Sequence, residues 1–403
     1  MKNILVAQSG GPTAAINATL AGVITCAYSS GETGKVLGSC NGIQGVLEER
    51  FIDLKEKVRN AEDMDLLCQT PAAALGSCRL KLTEEKQYQQ IISVLRKHDI
   101  HCFIYIGGND SMDTVNKLSA YCAQNNIEDI CVTGAPKTID NDLMGTDHCP
   151  GFGSAAKYIG TTFAELERDC HVYAMKAVTI VEVMGRNAGW LTAASALARQ
   201  NGQKGPNLIY LCETVFDNER FIADVKKELE TCDSVLVAIS EGIKDKEGRY
   251  VSEQVISSAV DNFGHSYIAG SAKVLENLVR NRIGCKVRSI ELNLMQRCAG
   301  HIASAMDIQE SKMLGMKACQ AALEGESGKM AAVIRKSNTP YTVSYETIPV
   351  SQAANEEKKV PSSFITPGGN DVTEEMISYL KPLIQGENNV IYENGLPKHF
   401  ILY

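Results

Sequence analysis

The chain has 403 residues, 44% hydrophobic and 22% charged, a composition that fits one large globular domain or two of ordinary size. Its 40 basic and 48 acidic side chains leave a net charge of −8, which argues against a broad nucleic-acid or acidic-membrane surface. Fourteen cysteines run from Cys26 to Cys319 without a Cys-x-x-Cys pair, which argues against a zinc ribbon. No cationic apolar leader precedes Ile4 and no apolar run of about eighteen residues occurs, so a reduced cytoplasmic protein without membrane contact is expected.

Taken in chain order, NILVAQSGG, CFIYIGGND, DICVTGAPKTIDND, AVTIVEVMGR, NLIYLCET, SVLVAISEG and VRSIELNLMQR share one design. Each is an apolar segment of strand length that stops at glycine or polar residues. Continuous apolar runs suit strands buried on both faces of a parallel sheet. Amphipathic stretches separate them; Met112, Val115 and Leu118, for example, fall on one helical face. The expectation is an α/β chain of two doubly wound, Rossmann-like lobes with mostly parallel sheets. Lobe boundaries are placed at residues 1–145 and 146–300, and 301–403 is read as a C-terminal segment packing back across the lobes. SQAANEEKKVPSSF, at 351–364, reads as an exposed loop. Ligands of such sheets sit beyond the carboxyl ends of the strands, which puts the active site in the cleft between the lobes.

The polar residues at those strand ends carry the chemistry. Gly10 and Gly11 read as a phosphate cradle of backbone amides, or equally as a tight βα turn. Arg79 follows in LGSCRLKL, and an isolated arginine is usually solvated or paired. Gly107-Gly108-Asn109-Asp110-Ser111 again joins strand to helix, but with an acid where phosphate would sit. The same letters Gly-Gly-Asn-Asp recur at Gly368 to Asp371 after Thr366-Pro367, and that copy reads only as a turn and helix start. In GAPKTIDND, Asp140 is a candidate general base and Lys137 a group to neutralise charge on a cleaved phosphate; the bland reading is an Asx-rich turn. Arg186 in VEVMGRNAGWL could fork onto phosphate or sugar oxygens, and Glu241 in AISEGI could accept a sugar hydroxyl. Arg288 and Arg297 close the set.

In this order the motifs resemble the 6-phosphofructokinases over roughly residues 1 to 310. An acid after Gly-Gly-x and a lysine before Thr-Ile-Asp look like the diphosphate-dependent branch of that family. The resemblance implies a donor lobe at 1–145 and a sugar-phosphate lobe at 146–300. It implies that Asp140 takes the proton of the 1-hydroxyl of fructose 6-phosphate as that oxygen attacks diphosphate, with Lys137 and Asp110 also catalytic. Gly11, Gly108 and Arg79 would meet diphosphate. Thr138, Ile139, Asp140, Met184, Gly185, Arg186, Glu241, Arg288, Leu294 and Arg297 would meet the sugar phosphate. Mg²⁺ is the implied cofactor, with Asn109 at its site, and a homo-oligomer (dimer or tetramer) the implied assembly. Three positions depart from the pattern: Asn109 replaces an aspartate, Ala177 an arginine offered to a neighbouring subunit, and Leu294 a histidine. An ATP-dependent kinase, in which Asp110 merely caps its helix, and a non-catalytic sugar-phosphate-binding homologue remain the alternatives.

Overall fold

The computed structural model describes every residue except 173, 200–201, 255–269, 355 and 403. Among the described residues eleven strands form the two main sheets: β1 (Lys2–Gln8), β2 (Thr33–Ser39), β3 (Phe51–Asp53), β4 (Ile100–Gly107), β5 (Cys131–Pro136), β6 (Ala177–Val183), β7 (Leu208–Tyr210), β8 (Ser234–Ser240), β9 (Lys286–Glu291), β10 (Lys329–Asn338) and β11 (Tyr341–Pro349). The chain divides into two compact units. The first comprises Met1–Ser154, Arg297–Glu357 and Gln385–Tyr403; the second comprises Ala155–Gln296 and Lys358–Ile384. The C-terminal third thus supplies segments to both.

The first unit holds a seven-stranded sheet ordered β11-β10-β5-β4-β1-β2-β3. The pairs β1–β2, β1–β4, β4–β5 and β5–β10 are parallel, while β2–β3 and β10–β11 at the edges are antiparallel. Ile4, Leu5, Val6 and Ala7 of β1 are all fully buried, as expected of a central strand covered on both faces. One cover is the helix Ile16–Ser29, which is made largely of small and β-branched residues and packs on the helix Ala305–Leu323. The approach is so close that a Cβ at Gly22 would stand 1.9 Å from the Lys312 carbonyl oxygen, and one at Gly315 2.0 Å from that of Thr19. Only glycine admits backbone that near.

The second unit holds a four-stranded parallel sheet ordered β7-β8-β6-β9, with its own core of Val178, Ile180, Phe221, Val225, Val235 and Val237 among others. The expected doubly wound α/β architecture with mostly parallel sheets is therefore present. The stretch expected as an exposed loop is partly anchored: Ala353, Ala354 and Val360 are buried. The second Gly-Gly-Asn-Asp copy is a turn, with the Gly369 amide donating to the Thr366 carbonyl at 2.8 Å, and the helix Glu374–Leu380 follows it.

Candidate active site

In the first unit the strand order reverses at β1, which connects onward to β2 on one side while β4 lies on the other. A crevice opens where neighbouring connections leave in opposite directions, and ligands of open α/β sheets bind there. Register places the ends together: Gln8 pairs with Ile106 and Gly107 with Pro136. Gly10-Gly11, Gly107-Gly108 and Lys137-Thr138 consequently lie at the carboxyl ends of three adjacent strands. Gly10 has φ +77°, and its carbonyl accepts from the Ser77 hydroxyl at 2.7 Å, which ties the segment carrying Arg79 to the first glycine loop.

Lys137 is 2% exposed, an unusual state for an ammonium group. Its Nζ donates to the Gly11 carbonyl at 2.6 Å, and its backbone amide donates to the Gly107 carbonyl at 2.8 Å. One residue thus clasps both glycine loops. Burial pushes its pKa down to about 8, against the opposing pull of the Asp140 and Asp142 carboxylates. A Cβ on Gly10 would stand 3.1 Å from Lys137 Nζ, and one on Gly11 3.2 Å from an Arg297 guanidinium nitrogen. Burial and the neighbouring Arg79 both act to lower the Arg297 pKa, while Asp140 pulls it up. Gly11, Arg79, Lys137, Asp140 and Arg297 therefore converge, three cations and one carboxylate around a glycine turn. The surplus of positive charge suits an anion with more than one negative charge.

Asp140 is half-buried, and its backbone amide donates to the Thr138 hydroxyl at 3.1 Å. Asn141, buried and at φ +55°, makes the bend that separates the two acids. The Asn109 amide donates to Asp142 Oδ2 at 2.9 Å. Asn109 Oδ1 and Asp142 Oδ1 are each buried without a hydrogen-bond partner. Burial raises the Asp142 pKa, more than the hydrogen bonds from its own backbone, Thr138 and Asn109 lower it. Two orphaned acceptor oxygens on side chains that are hydrogen-bonded to each other are what a hard cation would satisfy. Ile139, expected to meet the sugar phosphate, is 6% exposed.

Asp110 and Gly108 are placed differently from one another. Gly108 is the N-cap of the helix Asn109–Gln124, its carbonyl accepting from Ser111 and Met112 amides at 3.0 and 2.9 Å. Asp110 lies in the first turn, exposed, with Lys81 Nζ 3.1 Å from its Oδ1 and both side chains 46% exposed. Lys81 was absent from the expected site. Its alternation with Arg79 in SCRLKL, which puts both on one face of an extended segment, was the available signal.

In the second unit Met184, Gly185, Arg186 and Glu241 form one group. Glu241 accepts from the Gly185 amide at 3.4 Å, its own amide donates to the Val183 carbonyl at 2.9 Å, and Met184 donates to Gln296 Oε1 at 3.3 Å. Gly185, at φ +133°, would carry a Cβ 2.4 Å from the Ala188 carbonyl oxygen, so the turn demands glycine. Arg186 Nε is buried without a partner. Arg288 lies at a different level of the sheet from this group. Arg288 pairs with Thr179, in the first half of β6, and lines a small hollow with Asp169, Cys170, Met175 and Lys286. Leu294 is 54% exposed. Arg297 belongs to the first unit, beside Arg79 and Gly11.

The profile of the family described as Phosphofructokinase matches residues 3–322 of this chain. The chain is 42% identical to the pyrophosphate–fructose 6-phosphate 1-phosphotransferase of Xanthomonas campestris pv. campestris, over 99% of this chain and 96% of that one. It is 40% identical to the enzyme of the same name from Halomonas elongata, over 98% and 95% respectively. Among solved structures, the pyrophosphate-dependent phosphofructokinase from Nitrosospira multiformis superimposes with a TM-score of 0.89 at 37% identity, covering 99% of this chain and 95% of that one.

Proposed function

We infer, for a chain that belongs to the phosphofructokinase family, that it transfers a phosphoryl group reversibly from pyrophosphate to the 1-hydroxyl of fructose 6-phosphate, giving fructose 1,6-bisphosphate and phosphate. The observation that carries this reading is the Lys137 ammonium, buried against Gly11 and within the field of Asp140. A non-catalytic binder needs no buried cation at that cost, whereas a phosphoryl transferase uses one against the charge gathering on a departing phosphate.

In the forward direction Asp140 accepts the proton of the 1-hydroxyl while that oxygen attacks the terminal phosphorus of pyrophosphate. The bridging P–O bond breaks as the new one forms, and inorganic phosphate departs with its new charge facing Lys137. Arg79 and Gly11 would hold the donor, and Arg297, placed among the donor residues, would span toward the transferred group. The Gly185 turn, Arg186 and Glu241 would hold the sugar phosphate. Most of the rate then comes from positioning and charge stabilisation rather than covalent chemistry.

Asn109 Oδ1 and Asp142 Oδ1 would hold Mg²⁺, which supplies neutralisation of the phosphate oxygens when bound. Among the described residues no three His, Cys, Asp or Glu side chains gather to hold a metal ion, in keeping with a cation that takes its remaining ligands from pyrophosphate and water. Among the described residues no helix is long and apolar enough to cross a membrane. A cytoplasmic homo-oligomer acting in glycolysis completes the reading, supported by family resemblance. The test is one assay of the purified protein with Mg²⁺, fructose 6-phosphate and either pyrophosphate or ATP. Turnover with pyrophosphate is expected to exceed turnover with ATP, and a preference for ATP would overturn the reading.

A further inference from the structure

The segment that carries Lys137, Asp140 and Asp142 runs from the end of β5 to the helix Phe152–Cys170, and its two halves brace each other. The Thr138 amide donates to the Pro150 carbonyl at 3.2 Å, and the Cys149 amide donates to Asn141 Oδ1 at 3.0 Å. The return half therefore sets where the catalytic half lies. His148 sits in that return half, 2% exposed. Its Nδ1 is 2.8 Å from Asp147 Oδ2 and its Nε2 2.5 Å from Glu310 Oε2.

Both ring nitrogens thus face carboxylate oxygens, which accept and cannot donate unless protonated. A neutral imidazole has one donor nitrogen and one acceptor, and satisfies only one of these contacts. An imidazolium satisfies both. The surroundings balance the charge: Arg335 donates to Asp147 Oδ2 at 2.9 Å, and the Tyr341 hydroxyl donates to Glu310 Oε1 at 2.7 Å. Farther out, Tyr345 and Asp307 feel the Glu310 charge. Asp307, one turn before Glu310 on the helix Ala305–Leu323, accepts from the Gly151 and Ser154 amides at 3.0 and 2.9 Å. One helix face therefore presents two carboxylates to the end of the catalytic segment.

We propose that His148 is a positioning residue of the phosphotransferase, an imidazolium that clamps the return half of the catalytic segment between Asp147 and Glu310 and so fixes Asp140 and Lys137. Burial by itself disfavours the charged ring, and the hydrogen bonds to Asp147 and Glu310 overcome it, leaving the pKa raised. The kinetic part of this inference rests on the pyrophosphate-dependent reading, whereas the charge state of the ring does not.

The experiment has two arms on the intact protein. In the first, ¹⁵N-histidine-labelled protein is titrated by long-range ¹H–¹⁵N correlation, with His148→Asn assigning the signal among the seven histidines. His148 is expected to keep both nitrogens protonated to a pH above 6.5, the ordinary histidine value. Glu310→Gln, which preserves shape and removes one negative charge, is expected to lower its midpoint by at least about one unit. A neutral His148 at pH 6, or a midpoint untouched by Glu310→Gln, overturns the clamp. In the second arm His148→Asn is expected to lower kcat at least tenfold, with the KM values for both substrates within about threefold of the original. If the asparagine protein does not fold, Glu310→Gln takes its place in the kinetic arm, with a smaller loss of kcat expected. Unchanged kcat in the folded variant, or a loss confined to KM, overturns the positioning role. Failure of the titration with normal pyrophosphate turnover rejects the clamp alone, and absent turnover in the unmodified protein rejects the reaction.

Discussion

At the scale of single residues, Asp140 and Lys137 are held by different means, and the difference predicts different consequences. Asp140 is half-buried and positioned through its backbone by Thr138, so Asp140→Asn keeps shape and hydrogen-bonding capacity while removing the proton acceptor. Turnover is expected to fall by a factor on the order of 10²–10⁴ with little change in the sugar-phosphate KM. Near-normal turnover in that variant would remove Asp140 from the role of base. Lys137 has its pKa pushed down to about 8 by burial, so it loses its proton within the working range of assays. Activity that needs the ammonium is expected to decline as pH rises through about 8. The stability effect has the opposite sign. Between about 8 and the ordinary value of 10.5, the unfolded chain binds the proton that the folded chain has released, so the folded state gains stability with rising pH. A decline in activity without a decline in melting temperature over that window would separate titration from unfolding. In Lys137→Met the residual activity should lose that decline. Retention of the same alkaline limb would assign it to another group.

At the scale of elements, the β4-to-helix connection shows what the sequence could and could not convey. The strand, the Gly107-Gly108 stop and the amphipathic helix were legible because each is local and periodic. The place of Asp110 was not, because its partner Lys81 arrives from a different connection. An acid buried about 4 Å from the α-phosphate of ATP, at an effective dielectric near 20, would repel it by roughly 4 kcal/mol. Asp110 is instead 46% exposed beside an ammonium, where water reduces such a term to about 1 kcal/mol. Donor selection by this residue should accordingly be modest. Asp110→Gly is expected to raise the ratio of kcat/KM for ATP over pyrophosphate about fivefold. Lys81→Ala, which leaves the carboxylate without that counterion, should move the same ratio the other way. If neither variant shifts the ratio, Asp110 serves only the first turn of its helix. The same limit explains Arg297, whose neighbours Gly11 and Arg79 lie far away in sequence and could not be read from the order of motifs.

At the scale of the whole chain, the first unit is assembled from three stretches, and the last of them is short. Read as sequence, the last 35 or so residues suggest a helix and a short strand packed on the outside, with an apolar run at Phe400, Ile401 and Leu402. The fold attaches them to the rest of that unit by hydrogen bonds and by core packing. Gln69 Nε2 donates to the Ile391 and Lys398 carbonyls at 3.1 and 2.7 Å, while its Oε1 accepts from the Ile391 amide at 2.9 Å. Leu402, 2% exposed, belongs to the core built on Ile4, Leu20, Leu67 and Leu314, with Phe400 packed against it. Such a tail is a core strap rather than a loose end. Leu402→Ala removes buried apolar volume and is expected to cost about 2–5 kcal/mol of stability. Deletion of 385–403 should cost more, because it also leaves the Gln69 amide without those three bonds and the Thr70 hydroxyl without the Phe400 amide it accepts at 2.8 Å. None of these residues belongs to the proposed catalytic group, so at temperatures where the Leu402→Ala protein stays folded its turnover should match the unaltered chain. Denaturant unfolding paired with an assay at low temperature measures both quantities. Unchanged unfolding midpoints in both variants would show that the tail adds nothing to the core, whereas lost turnover in a folded Leu402→Ala protein would tie this strap to the catalytic group.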